Sequence, residues 1–344
     1  MSGAPPTAMA AEIAETPDAV ARFFDREEAA LRGLGARLRA LAPPFVATCA
    51  RGSSDHAASY FKYLLEILLG IPVASIGPSV ASIYHAPLRL GGALLVSVSQ
   101  SGKSPDIVAL QAAARAAGAK TLAVVNDAAS PLAREADAVL PLHAGVERSV
   151  AATKTCIASA AVLAALVAEL RQDDGLRAAV RALPTALARA VAADWGAPLP
   201  MLAAARSAYV VGRGPALPIA AEAALKLKET AVLHAEAFSG AEVMHGPLQL
   251  LHEGFPVIAF RPHDAAHAAM GDTIARLAAA GGLVFTCEQG AGDAARLPFA
   301  ATGHTLLDPL AMLLSFYGLA ERVARARGHD PDRPSHLRKI TETV

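Results

Sequence analysis

Residues 99–104, Ser-Gln-Ser-Gly-Lys-Ser, place three hydroxyl groups and one side-chain amide between an apolar run and a helical pattern. The start of a helix offers unpaired backbone N–H groups and a partial positive charge, and a glycine lets the backbone turn tightly. These groups suit a phosphate dianion, although one serine alone would serve as a simple helix cap. The segment is not a Walker A loop, which needs a glycine-rich run ending in Gly-Lys-Ser/Thr. The predicted phosphate ligands are Ser99, Gln100, Ser101 and Ser104.

Two further serines, Ser53 and Ser54, follow the neighbouring apolar run in an equivalent position. Ligands of parallel sheets bind outside the carboxyl ends of the strands. These serines therefore either help to close the phosphate pocket or cap a helix. The corresponding turn of the second half, residues 261–264, reads Arg-Pro-His-Asp and has no serine. Only the first half is predicted to hold a phosphate.

Glu222, Lys226 and Glu229 follow one another at intervals of four and three residues, which places them on one face of a helix predicted over residues 219–233. Such spacing usually marks ion pairs in solvent. Here the neighbouring residues are alanines and leucines, so the helix is predicted to be largely buried. Buried charges are costly unless they are paired or functional, and the pKa of a carboxylate in such a place can be tuned for general-base work.

The segment after this helix is interpreted as a short loop that closes at Gly246-Pro247. Any one of its ionisable residues could be a structural polar group. Together they favour a role in catalysis or in a subunit interface. The four residues are His234, Glu236, Glu242 and His245.

The elements that must position these groups follow a repeating pattern of apolar run, loop and helix, which predicts βαβ units and parallel sheets. Apolar runs in the first half recur about 162 positions later in the second half, as Arg51 and Arg213 illustrate. We interpret this as the internal duplication of one domain; coincidence between two ordinary βαβ patterns is the alternative. The predicted fold class is α/β, with two tandem doubly wound parallel sheets.

The predicted organisation has four parts. An N-terminal helical segment, with its helix over residues 17–41, precedes the first α/β domain. The second domain follows a helical connection, and an irregular polar tail ends the chain and closes the site. The predicted boundaries are residues 1–42, 43–172, 195–327 and 328–344.

Composition excludes several classes of protein. The 344 residues include 31 Lys and Arg and 31 Asp and Glu, without the basic excess of proteins that bind nucleic acid. The three cysteines lie far apart, which argues against disulfides and a zinc site and fits a reducing compartment. The N-terminus lacks the pattern of a secretory signal, and the apolar stretch 157–170 is predicted to be a buried helix because it is too short to span a bilayer. We expect a cytoplasmic protein without a cofactor, a metal, a membrane or a nucleic acid.

Several motifs occur in the order in which they occur in the double SIS (sugar isomerase) domain family, and the sequence resembles that family over nearly its whole length. They are Arg-Gly-Ser-Ser at 51–54, Ser-Gln-Ser-Gly-Lys-Ser at 99–104, Ala-Leu-Lys-Leu-Lys-Glu-Thr at 224–230, His-Ala-Glu-Ala at 234–237 and His-Gly-Pro-Leu at 245–248. The resemblance implies flavodoxin-like SIS domains, a small-molecule sugar phosphate as the substrate, and a homodimer with a shared active site.

The resemblance also implies roles for individual residues. The serines and Gln100 of the first half match the family's phosphate ligands. Glu229 matches the base that moves a proton between C1 and C2, and Lys226 matches a lysine that contacts the sugar. His245 matches a ring-opening histidine donated by the partner subunit, and Lys339 matches a tail lysine that can form a Schiff base with the keto sugar. The remaining implied substrate-binding positions are Val150, Ala151, Ala152 and Glu222.

Within the family, the sequence resembles the isomerase half of the glutamine-dependent fructose-6-phosphate amidotransferases. Those enzymes begin with a catalytic cysteine and a glutaminase domain, whereas this sequence starts Met-Ser-Gly, so we expect it not to draw ammonia from glutamine unaided. Residues 102–106, Gly-Lys-Ser-Pro-Asp, replace the usual Gly-Glu-Thr-Ala-Asp and look more like the stand-alone glucosamine-6-phosphate deaminases. The expected reaction converts glucosamine 6-phosphate and water to fructose 6-phosphate and ammonia.

Two alternatives stay open at this point. An isomerase or deglycase acting on another sugar phosphate would use the same base and the same phosphate loop. A sugar-phosphate-sensing binding protein is the second alternative. Such regulators usually carry a DNA-binding helix-turn-helix or lose the catalytic glutamate, whereas Glu229, His245 and Lys339 are all present here.

Overall fold

The computed structural model describes residues 6–288 and 295–339. The chain forms two five-stranded parallel sheets with flanking helices, which confirms the predicted α/β class and the tandem arrangement. No helix of the described residues is long and apolar enough to cross a membrane. Contacts divide the described chain into two compact units, here called the N-sheet unit (residues 18–147, 154–181 and 338–339) and the C-sheet unit (residues 6–17, 148–153, 182–288 and 295–337).

The first helix, α1 (Ala8–Leu41), begins nine residues before the predicted start at 17. The side chain of Asp332 explains the earlier start, because its carboxylate accepts hydrogen bonds from the backbone N–H groups of Ala8 and Met9 at 2.6 and 2.8 Å. These are two of the N–H groups that a helix start leaves without an intrahelical partner. The cap comes from more than 300 residues along the chain, so the local pattern gives no sign of it.

The N-sheet unit is built around a five-stranded parallel sheet, and the three central strands of this sheet are almost entirely buried on both faces, as expected when helices cover a sheet. The strands are β1 (Val46–Cys49), β2 (Val73–Ser75), β3 (Leu94–Ser99), β4 (Lys120–Val125) and β5 (Ala138–Pro141). The helices that follow them are α2 (Ser53–Leu69), α3 (Ser79–Ser82), α4 (Pro105–Ala116), α5 (Pro131–Glu135) and α6 (Lys154–Arg171). The strand order is β2-β1-β3-β4-β5, which is the flavodoxin-like order. Helix α6 is buried from Lys154 to Glu169, which confirms the predicted buried helix.

The C-sheet unit repeats this plan. Its strands are β6 (Ser207–Gly212), β7 (His234–Ser239), β8 (Phe255–Phe260), β9 (Gly282–Cys287) and β10 (Arg296–Leu297). A helix α7 (Asp174–Val191) leads into it, and its other helices are α8 (Leu199–Ala204), α9 (Ala216–Ala231), α10 (His267–Ala279) and α11 (Asp308–Ala326). The strand order is β10-β9-β8-β6-β7. Read from the β7 edge, this order matches that of the N-sheet unit, with β7, β6, β8, β9 and β10 in the places of β2, β1, β3, β4 and β5. The shared order supports the duplication inferred from the sequence.

The segment interpreted as a loop after α9 contains a strand, so that interpretation was wrong. His234 and Glu236 lie on β7, which pairs in parallel with β6 at the edge of the sheet. Because β7 is an edge strand, His234 and Glu236 are exposed while Ala235 between them is buried. This alternation with a period of two is the signal of a half-buried strand. Helix α9 ends before it, at Ala231, and Val232 follows with a φ of 50°.

Each unit has its own apolar core between the sheet and its helices. In the N-sheet unit, Leu95 and Val125 of the sheet pack with Ile107 and Leu110 of α4. In the C-sheet unit, Tyr209 and Val257 pack with Met270 and Leu277 of α10. These cores fix the ends of β1 and β3, which the predicted phosphate ligands follow, and the end of β6, which leads into α9.

Candidate functional site

The loop at residues 99–104, called the hydroxyl loop, connects β3 to α4. Its backbone is held by its own serines, because the N–H of Gly102 donates to Ser99 Oγ at 3.1 Å and the N–H of Lys103 donates to Ser101 Oγ at 3.3 Å. Gly102 has a φ of 61°, and a Cβ built there would overlap the Ser130 side chain. Glycine is therefore required at this turn, both for its conformation and for lack of space.

The serines at the helix starts are not simple caps. Ser104 holds the N-cap position of α4, yet its side chain makes no capping hydrogen bond. The N-cap of α2 is Gly52, so Ser53 and Ser54 lie in the first turn of that helix. A helix start with unpaired backbone N–H groups and nearby hydroxyls is well suited to hold an anion.

A cavity of about 470 Å³ opens at the hydroxyl loop. Five of the six predicted phosphate ligands line it together with the tail residue Lys339, whereas Ser53 is buried and is not part of the wall. The lining residues are Arg51, Gly52, Ser54, Val98, Ser99, Gln100, Ser101, Ser104, Ile107 and Lys339. A neutral set of hydroxyls and amides therefore shares this cavity with two cationic side chains.

Each of the two cations in the cavity wall is paired with a fully buried carboxylate. Arg51 donates from Nε and Nη2 to Asp106 Oδ2 at 3.0 and 2.8 Å. Lys339 Nζ donates to Glu147 Oε2 at 2.8 Å. Sequence reasoning did not select Arg51, although it stands in the quoted motif Arg-Gly-Ser-Ser. It had no signal for Glu147, because the partner lysine lies 192 residues away.

Glu147 is ionised in this environment. Burial tends to raise the pKa of its carboxyl group, but the charge and hydrogen bond of Lys339 and the hydrogen bonds from Thr155 outweigh burial and lower it below the ordinary value. The backbone N–H of Thr155 donates to Glu147 Oε1 at 3.0 Å, and its hydroxyl donates to Oε2 at 2.7 Å. Hydrogen bonds to the charged form of a carboxylate favour that form.

Three of the charged residues of α9, Glu222, Lys226 and Glu229, form a largely buried chain of ion pairs. Glu222 and Lys226 are fully buried, with 3.4 Å between Glu222 Oε1 and Lys226 Nζ. Lys226 also donates to Glu229 Oε2. The side chain of Glu229 is 21% exposed, so it is the solvent-accessible end of the chain. Charges at such depth persist because each has an opposite charge beside it.

Glu222, predicted to bind substrate, is held by protein groups in this structure. Besides its pairing with Lys226, it accepts a hydrogen bond from the Tyr317 hydroxyl of α11 at 3.0 Å. Tyr317 is itself fully buried. No pattern in the sequence marks Tyr317, since it is one aromatic residue within an apolar helical pattern.

The other predicted site residues of the C-sheet unit are not part of α9. Val150, Ala151 and Ala152 belong to an irregular segment in which the Val150 N–H donates to the Asp332 carbonyl at 3.3 Å. Ala151 is buried, while its two neighbours are partly exposed. His245 is exposed and follows the short 3₁₀ helix Glu242–Met244. Among the described residues, no group of three or more His, Cys, Asp or Glu side chains could hold a metal ion.

Comparison with known proteins identifies the family. The SIS domain model matches residues 46–169 and 201–284, which is more than half of the 344 residues. The glutamine–fructose-6-phosphate aminotransferase (isomerizing) of Leifsonia xyli is 35% identical over 369 aligned positions, which cover 97% of this chain and 58% of the relative. The chain therefore spans less than two thirds of the length of that relative.

Solved structures agree with this match. A protein of Silicibacter pomeroyi assigned to the phosphosugar isomerases is 49% identical, with a TM-score of 0.90 over 95% of this chain and 100% of that one. The glucosamine-6-phosphate deaminase of Thermotoga maritima has a TM-score of 0.77 at 19% identity over 98% and 100% of the two chains, a likeness that shows the fold alone. These matches agree with the presence of two sheets that share one strand order. The chain belongs to the SIS domain family.

Proposed function

We propose that this protein is a phosphosugar isomerase-type enzyme that converts glucosamine 6-phosphate and water to fructose 6-phosphate and ammonia. The observation that carries the proposal is Glu229, a carboxylate at the accessible end of a chain of buried charges. A relative and a structural neighbour named as phosphosugar enzymes support the class of substrate.

In the proposed mechanism, the hydroxyl loop binds the phosphate of the substrate. The hydroxyl oxygens of Ser99 and Ser101 each accept a hydrogen bond from a backbone N–H group. Their hydroxyl hydrogens can still donate to phosphate oxygens. Hydrogen bonds to a charged acceptor are the stronger kind. Binding energy from this remote group serves to orient the reacting carbons.

Glu229 is proposed as the general base. After the sugar ring opens, its carboxylate takes the proton from C2 and the aldehyde oxygen gains a proton, giving an enaminol. Returning a proton to C1 gives an imine at C2, and addition of water to that imine releases ammonia and leaves the ketone of fructose 6-phosphate. Lys226, whose ammonium contacts Glu229, positions that carboxylate, and Glu222 and Tyr317 hold Lys226 in turn.

Further parts of the proposal extend the resemblance to other residues. His245 assists ring opening and comes from the partner subunit of a homodimer with a shared active site. Val150, Ala151 and Ala152 supply backbone contacts, and Lys339 acts on the bound substrate from the cavity wall. No step of this scheme is routed through a metal or a cofactor.

The test is an assay of purified protein with glucosamine 6-phosphate and no glutamine. We expect ammonia and fructose 6-phosphate in equal amounts. A positioned general base contributes about 10²–10⁴-fold to a rate, so Glu229→Gln should lower kcat by at least about 100-fold while still binding sugar phosphates. The matched control is Glu253→Gln, an exposed carboxylate before β8, which should keep wild-type turnover.

The possible failures have different meanings. Normal turnover of Glu229→Gln would refute its role as the base. Wild-type protein that releases no ammonia, but interconverts another aldose and ketose phosphate, would move the proposal to an isomerase of that sugar. Binding without turnover of any phosphosugar tested would indicate a sensor.

A further inference from the structure

Residues 148–153 form an irregular segment between β5 and α6, so no helix or strand of their own holds their backbone. Alternate residues of the segment are buried, whereas Val150 and Ala152 are partly exposed. Nearly all buried backbone N–H groups of a folded protein have a hydrogen-bond partner. Three N–H groups of this segment find theirs in parts of the chain that are far away in the sequence.

The first partner is Glu12 of α1, a residue that is 5% exposed and has no part in the proposed chemistry. Its side chain accepts a hydrogen bond from the backbone N–H of Arg148 and another from that of Ser149, the latter at 3.3 Å to Oε2. An N–H group that donates to a side chain buried this deeply has little freedom to turn. Glu12 therefore fixes the orientation of two consecutive peptide groups at the start of the segment.

The second partner is Asp332, which follows α11 in the chain. Its backbone carbonyl accepts a hydrogen bond from the N–H of Val150 at 3.3 Å. Its side chain caps the start of α1, where it accepts hydrogen bonds from the N–H groups of Ala8 and Met9 at 2.6 and 2.8 Å. Asp332 therefore binds the segment through its main chain and α1 through its side chain.

The contacts of Glu12 and Asp332 form a closed circuit. Helix α1 holds residues 148 and 149 through Glu12, residue 150 donates to Asp332, and Asp332 is held by the first turn of α1. Three consecutive N–H groups are thus tied to one helix. A helix that began at residue 17, as the sequence predicted, would carry neither Glu12 nor the N–H groups that Asp332 caps. The early start of α1 is therefore required for this circuit.

The first turn of α1 is itself anchored. The hydroxyl oxygen of Thr7 accepts a hydrogen bond from the backbone N–H of Ala10 at 3.1 Å, and the hydroxyl donates to Glu321 Oε1 of α11 at 3.0 Å. Glu321 is buried. Because a capping side chain stabilises the start of a helix, the circuit has a fixed support.

We propose that Glu12 and Asp332 are positioning residues of the reaction, which hold the backbone of residues 150–152 in the conformation that contacts the substrate. This inference rests on the proposed function, in which these three residues supply backbone contacts. Neither Glu12 nor Asp332 touches the substrate in this scheme. Without them, an irregular segment would have to give up backbone freedom each time the substrate binds, and that cost would weaken binding.

The experiment compares KM and kcat of Glu12→Ala and Asp332→Ala with those of wild type. Each variant should raise KM for glucosamine 6-phosphate by about fivefold, the factor that one hydrogen bond typically contributes. The kcat should stay within about twofold of wild type, because a contact made equally in the ground state and the transition state affects KM alone. A merely structural role predicts the opposite result, since a smaller folded fraction lowers the apparent kcat and leaves KM unchanged.

Two conservative variants test the assigned contacts. Glu12→Gln keeps an oxygen at the position of Oε1, which the N–H groups of Arg148 and Ser149 both reach, so its KM should return to within about twofold of wild type. Asp332→Asn keeps one of two acceptor oxygens and should raise KM by a smaller factor than Asp332→Ala. These variants also carry the test if an alanine variant does not fold.

Hydrogen exchange at the amides of residues 148–150 gives a readout that requires no turnover. Both alanine variants should exchange faster there than wild type, because local opening becomes easier when hydrogen-bond partners are removed. The comparison of KM applies to whichever sugar phosphate the wild-type protein converts.

The matched control is Asp137→Ala. It also removes a side chain that accepts a hydrogen bond from a backbone N–H, that of Thr121 at 3.0 Å, but it does so at the amino end of β4. Its KM and its exchange at residues 148–150 should match wild type. Unchanged exchange in both alanine variants, or faster exchange with a wild-type KM, would overturn the inference and leave the proposed function standing. Wild-type protein that neither converts nor binds a sugar phosphate would refute both.

Discussion

The two sheets of this protein have the same strand order but different groups at their carboxyl ends. After β3, the N-sheet unit carries the hydroxyl loop with its cavity. After β8, the C-sheet unit carries residues 261–264, where Arg261 donates to Glu288 at 2.7 Å. The first turn offers donors to a ligand, and the second uses its cation in an ion pair within the protein.

The same contrast applies to the first helix of each sheet. Helix α2 begins with Ser53 and Ser54, of which Ser54 faces the cavity. Helix α9 starts after Gly214-Pro215 and carries its charged residues along its length instead. Duplication therefore preserved the apolar framework, which both halves need in order to fold, while the residues outside the framework diverged. Under the proposed function, anion binding belongs to one half and proton transfer to the other.

The largest predicted effect concerns the burial of charge in the C-sheet unit. Lys226→Met should lower the free energy of unfolding by about 3–5 kcal/mol, because it leaves Glu222 buried without its cation. In the N-sheet unit, Lys103→Met should cost less than about 1 kcal/mol, since Lys103 and Asp127 form an exposed pair. Urea denaturation of both variants measures the difference. Equal costs would show that the ion pairs of α9 are not buried in solution.

The double variant Lys226→Met/Glu222→Gln provides the control for this prediction. It removes both charges, and it should recover most of the stability lost in Lys226→Met because no unpaired charge remains buried. If the double variant is as unstable as the single one, packing around Lys226, not its charge, determines the loss.

The second prediction compares two glycines with positive φ. Gly102→Ala should cost about 3 kcal/mol, since a Cβ at φ 61° overlaps the buried Ser130. Gly214, in the turn between β6 and α9, has a φ of 58° and open space around it. Gly214→Ala should cost only about 1 kcal/mol. Thermal unfolding of the two variants tests this ranking, and equal costs would contradict the close packing of the hydroxyl loop.

The third prediction concerns pH and has opposite signs in the two halves. The pKa of Glu147 is lowered, so its ionised form stabilises the fold above the ordinary pKa of glutamate and this contribution is lost as the pH falls. The pKa of Asp308 is raised, first by burial, despite hydrogen bonds from Thr302. Its ionised form therefore costs stability at neutral pH, and this cost disappears as the pH falls through its folded pKa toward 4.

At pH 7, Glu147→Gln should therefore lower the free energy of unfolding by about 2 kcal/mol, and Asp308→Asn should raise it. The gain in Asp308→Asn should shrink as the pH falls toward 4, whereas the loss in Glu147→Gln should persist down to about the ordinary pKa of glutamate and shrink only below it. Urea titrations at several pH values measure them. A stabilising Glu147→Gln, or a destabilising Asp308→Asn that persists at pH 4, would contradict the assigned directions.

The sequence predicted the framework because the signals of the framework are local. Runs of buried apolar residues in β3 and β4 and the repeat between the halves are visible without coordinates. The hydroxyl loop is equally visible because its groups are contiguous. The strand β7 was not predicted, because the ionisable residues His234 and Glu236 were interpreted as part of a polar loop. Their alternation with Ala235 and Ala237 is the pattern that indicates a strand.

Contacts between distant parts of the chain could not be predicted in this way. The pairing of Lys339 with Glu147, the hydrogen bond from Tyr317 to Glu222 and the capping of α1 by Asp332 join residues at least 95 positions apart. No periodicity or composition connects such residues, since packing of whole elements brings them together. The groups with reactive chemistry are thus predictable, and the groups that hold them in place require the structure.

The smallest predicted effect tests directly whether the two halves differ in anion binding. Ser101→Ala removes a hydroxyl from the cavity wall and should weaken binding of inorganic phosphate by about tenfold, because a hydrogen bond to a charged group is lost. His263→Ala changes the corresponding turn after β8 and should leave the affinity unchanged. Calorimetry on both variants makes the comparison under identical conditions. Weakened binding in His263→Ala would mean that the second half also contributes to phosphate binding, and the division of labour between the sheets would then be wrong.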